Sequence, residues 1–214
     1  MDEVSSEKPT ELSIDYPDRK LSRVTSFFRP ILVIPILIVL GSLFGAPYFW
    51  GQGMWHWKLP AIPAFVVGPT ALLILFKQKY PRWWFDWNLN MARFSTRVFS
   101  YITLLTDVYP STDESQAVDL DLYYPDPTED LSRWKPYVKW FLAIPHYIAL
   151  FFLNTAGTMA IIMAWFSILF TGRYPEKLFN FVVEVYHWNL RVIAYAFLFI
   201  TDNYPSFSFR GWQE

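Results

Sequence analysis

Three groups of residues have the types and spacing to do chemistry. Glu184, His187 and Arg191 fall three and four positions apart, so one helix face would bring together a carboxylate, an imidazole and a guanidinium. Such a trio could do acid–base work on a headgroup, or form a solvated stripe with an internal ion pair. His146 follows Pro145 inside an apolar stretch. Its imidazole could ligate haem or a chlorophyll-type pigment, or bond a carbonyl that the proline leaves free. Arg97 and Arg191 recur in register, as do Asp107 and Asp202, and Arg23 and Arg133 stand at the start of two long apolar runs. Arginine grips phosphate bidentately, so these residues read as lipid-headgroup ligands or as a clamp between elements.

Other chemistries have no foothold. The histidines His56, His146 and His187 fall in different kinds of element, whereas a metal site needs clustered ligands. Without cysteine there are no thiolate sites and no disulfides. No phosphate-binding glycine loop, nucleophile elbow or dinucleotide fingerprint occurs. A net charge of −1 gives no pull toward nucleic acid. No catalytic residue and no metal are expected.

The elements that must position these residues come in two copies. Leu21-Ser22-Arg23 and Ile34-Pro35 match Leu131-Ser132-Arg133 and Ile144-Pro145 at one offset. Leu75-Phe76 and Tyr80-Pro81 match Leu169-Phe170 and Tyr174-Pro175, and Tyr101 matches Tyr195. Asp107 and Asp202 are each followed two residues later by a Tyr-Pro pair. Repeats on this scale decide architecture. They divide the chain into a polar arm (1–20), a first repeat (21–110), an acidic linker (111–130), a second repeat (131–207) and a tail (208–214). A Trp/Gly-rich insertion at about 46–62 interrupts the first repeat.

Hydrophobic residues make up 53% of the chain and aromatics 21%, with 11 Trp and 13 Tyr, a composition suited to bilayer boundaries. The run from Val138 to Phe170 is too long for one span of roughly 20 residues, so a hairpin is expected at Asn154 to Thr158. The first 25 residues lack the features of a secretory signal, so the first apolar run should remain as an anchor. The pattern Gly41-x-x-x-Gly45 in that run could be a helix-packing contact.

After each hairpin comes a striped helix. Polar residues at Arg82, Asp86, Asn90, Arg93 and Arg97, and at Glu176, Asn180, Glu184, His187 and Arg191, share the same helical spacing. Burying such a stripe in lipid costs roughly 2.5–3.5 kcal/mol per Asp, Lys or Arg, which favours a helix lying along the interface. Short alternating segments at Leu12 to Tyr16, Val118 to Tyr124 and Phe207 to Phe209 could pair into a small sheet. The fold class is therefore an all-α integral membrane protein. It has two parallel tandem repeats, each a transmembrane helical hairpin plus an amphipathic interfacial helix, with short extended segments on the cytoplasmic side. The Lys and Arg distribution puts both termini in the cytoplasm.

The second repeat carries Leu131-Ser132-Arg133-Trp134, Val138 through Tyr147 with Ile144-Pro145-His146, Ala164-Trp165-Phe166, Leu169 through Pro175 with Thr171-Gly172-Arg173, and Arg191 through Tyr195. Over residues 124–207 it resembles a bacterial membrane family known as a domain of unknown function, number four-three-eight-nine. The first repeat departs from it: Lys77-Gln78-Lys79 replaces Thr-Gly-Arg, and Ile36 replaces the histidine. The resemblance implies a bacterial cytoplasmic membrane and names no activity. The expectation is a non-enzymatic accessory subunit, with other membrane subunits and lipids as partners. Its alternatives are a headgroup-binding or membrane-shaping protein, and a pigment- or haem-bearing subunit through His146.

Overall fold

The striped segments are two 21-residue helices, each starting directly after a proline whose extended backbone turns the chain into the first turn. A computed structural model describes residues 10–17, 21–44, 61–111, 118–126, 131–132 and 134–209. In chain order the elements are β1 (Thr10–Ile14), α1 (Arg23–Leu32), α2 (Ile34–Phe44), α3 (Ala61–Lys77), α4 (Arg82–Ile102), β2 (Val118–Leu122), α5 (Lys135–Leu142), α6 (Ile144–Thr171) and α7 (Glu176–Ala196).

Two prolines break the apolar runs at matching places. Pro35 and Pro145 lack the N–H that would continue the helix, and the helices break two residues earlier, at Val33 and Ala143. Around each bend the ladder resumes: Val33 N bonds Arg29 O at 2.9 Å, and Ala143 N bonds Lys139 O at 2.8 Å. Ser22 caps α1, accepting from Thr25 N.

The expected hairpin at Asn154 to Thr158 is not formed. Helix α6 runs unbroken through it for 28 residues, about 42 Å at 1.5 Å per residue. Its polar residues are absorbed by the helix. Thr155 and Thr158 donate to the carbonyls of Phe151 and Asn154 one turn back, and Asn154 exchanges hydrogen bonds with Asn189 of α7. The proline bend at Ala143 shortens the apolar run instead, because α5 takes up its first residues. Helices α2 and α3, of 11 and 17 residues, together match the 28 of α6. The expected insertion lies outside the described residues up to position 60, and so does Gly45.

Helix α6 lies antiparallel along α7. Leu150 packs on Trp188 and Val192, Gly157 approaches Val185, and Ala160 and Ala164 meet Phe179 and Val182. Val33, Ile36 and Leu40 pack on Phe94, Val98 and Tyr101 of α4, while α3 reaches the other end of α4, where Trp84 Nε1 donates to Thr70 at 2.8 Å. Small residues on α6 allow the close approach, and large apolar residues on α4 and α7 fill it.

Strands β1 and β2 pair antiparallel with Leu12 opposite Leu120. Leu12, Leu120 and Leu122 pack toward Leu89 and Leu190, while Glu11, Asp119 and Asp121 point outward and are exposed. Val185, facing α6, and Leu190, facing the sheet, are five residues apart, which is about 140° around α7. The result is three layers: the sheet, then α4 and α7, then the apolar helices. Phe207 and Phe209 do not join as a third strand. Their rings lie against Trp188, at 5.9 and 5.7 Å, and that packing takes the place of sheet hydrogen bonds.

The strands are seated crosswise. Tyr16, after β1, donates to Tyr174 O and meets Phe179 edge-on, and Leu21 N bonds Gly172 O. Tyr124, after β2, donates to Tyr80 O and meets Phe85 edge-on. Each strand thus rests at the start of the striped helix in the opposite half of the sequence.

Both striped helices end the same way. Leu104 and Phe199 take left-handed backbone angles, φ 66° and 54°, and are buried. Large side chains adopt this geometry at a cost of about 1–2 kcal/mol, and burying them in the core offsets it. The turn sends the chain back so that Asp107 and Asp202 face the start of the apolar helices.

Candidate functional site

Of the charged residues singled out from the sequence, Asp107 and Asp202 each anchor one of two matching ion-pair sites. Asp107 forms an ion pair with Arg29 and accepts from Ser22 N at 2.9 Å. Asp202 forms an ion pair with Lys139 at 2.7 Å and accepts from Ser132 N at 2.7 Å. Arg29 donates to Thr106 O, and Lys139 donates to Thr201 O. Tyr101 and Tyr195 place their rings 4.4 and 5.1 Å from the respective cations. Lys135 adds a second, more exposed partner for Asp202 at 3.3 Å. Lys139 is fully buried, and burial pushes its ammonium pKa down while Asp202 pulls it back up.

Among the described residues neither Asp107 nor Asp202 pairs with Arg97 or Arg191. Asp107 and Asp202 turn toward the apolar helices and meet Arg29 and Lys139, neither of which was singled out as a site residue. The signal was present: the offset that carries Ile34 to Ile144 also carries Arg29 to Lys139. It was masked because the two cations differ in type. Arg97 and Arg191 hold the chain that follows their own helices. Arg97 donates to Ser111 O at 3.0 Å, and Arg191 donates to Ser206 Oγ and Ser208 O at 2.9 and 2.5 Å. Arg23 is exposed in the first turn of α1, and Arg133 lies outside the described residues.

The polar stripes therefore change character along their helices. Arg82, Asp86, Asn90, Glu176 and Asn180 are exposed, while Arg93, Arg97, Glu184 and His187 are half-buried and Arg191 is buried. Arg93 reaches the sheet, donating to Leu120 O and pairing with Asp121. The stripe meets sheet and tail over its second half, where plain exposure to water was expected, because β1, β2 and the tail fold over it. In the Glu184, His187 and Arg191 trio, the guanidinium is committed to the tail serines.

His146 is buried and enclosed. Its Nδ1 accepts from Trp188 Nε1 at 3.1 Å, and Phe207 stacks on its ring at 4.0 Å. The other ring nitrogen, Nε2, is also buried. Among the described residues no group of three or more His, Cys, Asp or Glu could hold a metal ion.

The role of Arg191 gives a discriminating prediction. Arg191→Met should lower the thermal midpoint by an amount equivalent to about 1.5–3 kcal/mol, because the charged hydrogen bonds from the buried guanidinium to Ser206 and Ser208 are lost. Lipid retained through purification should stay the same. A headgroup ligand would give the reverse pattern, with less lipid and an unchanged midpoint.

Two helical stretches, Arg23–Gly41 and Ile144–Thr171, are long and apolar enough to cross a membrane, with mean hydropathy 2.1 and 1.8. Neither a curated protein nor a solved structure matches the chain. Residues 133–208, from just before α5 through the tail on α7, match the model of the family described as Domain of unknown function (DUF4389), the one that the second-repeat motifs resemble.

Proposed function

We propose that this chain is a non-enzymatic accessory subunit of a bacterial cytoplasmic-membrane protein complex, built as a tandem duplication around an approximate twofold axis. One observation carries the reading. The outer faces of α1, α2 and α6 expose many large apolar side chains, with Phe27, Ile31, Ile34 and Ile38 on one and Phe151, Phe152, Met163 and Phe170 on the other. Soluble monomers rarely leave such surfaces uncovered. Meanwhile the conspicuous charged groups, Arg29, Lys139, Asp107, Asp202 and Arg191, bind other parts of the same chain.

The layers favour an in-plane arrangement of α4 and α7. Exposed Glu11, Asp119 and Asp121 need water, and sheet layers pack about 10 Å from their neighbours. Helices α4 and α7 then lie near the headgroups, with α6 and the α1–α2 helix beneath them in the acyl region. Strand β1 lies over the side of α7 away from α6, and the tail runs back along the same helix from its carboxyl end, which favours both ends of the described chain on one face of the bilayer.

The test is purification from native membranes in mild detergent. A stoichiometric membrane-protein partner should travel with the chain through successive columns. A particle that contains this polypeptide alone, in every detergent tried, would overturn the subunit assignment.

A further inference from the structure

We infer that the groove between α1, the end of α4 and α6 is a binding site for a single acyl chain ending in an oxygen acceptor. The groove has a volume of about 370 Å³, within the range of roughly 300–1,000 Å³ typical of small-molecule sites. Pro30 and Val33 form one wall, Ile102 and Leu104 the second, Ile161 and Trp165 the third. These side chains are apolar apart from the indole N–H, and that N–H is already bonded to Ser26 O at 3.0 Å. The groove therefore offers its contents dispersion contacts and a dry surface, which suit a hydrocarbon chain.

Two donors mark where the chain would end. Ser26 and Arg29 also line the groove, and their side chains are 0% and 3% exposed. Ser26 Oγ and Arg29 Nε are buried without a hydrogen-bond partner among the described residues. Orphaned buried donors cost about 1–3 kcal/mol each, so an acceptor placed between them has a favourable seat. The rest of the Arg29 guanidinium is held by Tyr101 O, Thr106 O and Asp107, which fixes the position of Nε. A lipid ester carbonyl or a fatty-acid carboxylate supplies the required acceptor at the end of an apolar chain.

The flanks of the groove point to the source. Ile31 and Ile34 on one side and Ile162 and Met163 on the other are exposed and apolar, so the opening faces the same medium as the outer faces of the helices. The source of the ligand thus rests on the membrane assignment above. The position matching Ser26 in the second half is Pro136, which has no hydroxyl.

The experiment reconstitutes the full chain into phosphatidylglycerol vesicles that carry a diazirine on one acyl chain, with free diazirine-palmitate added in a parallel arm. Cross-links are then mapped by mass spectrometry. Enriched labelling of Pro30, Val33 and Ile161 over Phe151 and Phe170 is the expected result, and the arm that gives it identifies phospholipid or free acid as the source. Ile162→Trp, which fills the mouth from an exposed position, should cut groove labelling at least about fivefold, roughly 1 kcal/mol of lost affinity. Ser26→Ala should cut it in the same direction without changing the shape. Strong labelling of Phe151 and Phe170 with no enrichment in the groove would overturn the site while leaving membrane residence intact. No labelling on either surface would overturn both.

Discussion

Asp202→Ala should lose about 3–5 kcal/mol of folding stability, the usual cost of leaving one member of a buried ion pair uncompensated. The reason is the setting of Lys139, which is fully buried and has Asp202 as its close carboxylate at 2.7 Å. Thr201 O remains as an acceptor, but a carbonyl dipole does not neutralise a charge. Ser132 N loses its acceptor in the same variant. Lys139→Met should cost less, because Asp202 keeps Lys135 and the Ser132 amide. The double variant should recover most of the loss. Thermal or denaturant unfolding of the four proteins in one detergent checks this as a double-mutant cycle. An Asp202→Ala midpoint equal to that of the parent would show that Lys139 is not held as a buried cation.

The second large effect concerns membrane residence. Ile31, Ile38, Phe152 and Met159 are exposed on the outer faces of α1, α2 and α6, 63%, 67%, 66% and 56% accessible. Changing all four to Asp puts four carboxylates where the chain is expected to meet acyl tails. At roughly 2.5–3.5 kcal/mol each, the summed penalty is on the order of 10–14 kcal/mol. The variant should come off membranes in alkaline carbonate while the parent stays in the pellet. These side chains lie outside the buried core, so the detergent-solubilised variant should unfold within about 0.5 kcal/mol of the parent. A quadruple variant that still sediments with the bilayer would refute the assignment of these faces to lipid. A control with Ser13→Asp, on the exposed face of the sheet, should leave fractionation unchanged.

Sequence patterning made some of this architecture readable, and the reasons differ between elements. The striped helices were legible because Pro81 and Pro175 mark their starts and because polar residues kept helical spacing for four turns. The sheet was legible in β1 and β2, where alternation separates Leu12 and Leu120 from Glu11 and Asp119. The same alternation at Phe207 and Phe209 was misleading, since aromatic rings that look strand-like also pack against a helix. Helix α6 was misread for a physical reason. Asn154, Thr155 and Thr158 look like a turn when only polarity is counted, but threonine can satisfy its hydroxyl on the carbonyl one turn back, and Asn154 finds Asn189. The buried cations were the hardest to see. Lysine and arginine usually mark a surface, and only the turn at Leu104 and Phe199 brings a carboxylate to each of them.

The crosswise seating of the strands has a consequence for biosynthesis. Tyr16 finds its acceptor 158 residues later, at Tyr174. At about 5–20 residues per second, a ribosome needs roughly 8–32 s to cover that distance. Strand β1 can pair once β2 is made, but throughout that interval Tyr16 lacks its seat against Tyr174 and Phe179. Completion of the molecule is thereby deferred until the carboxyl-terminal third is synthesised.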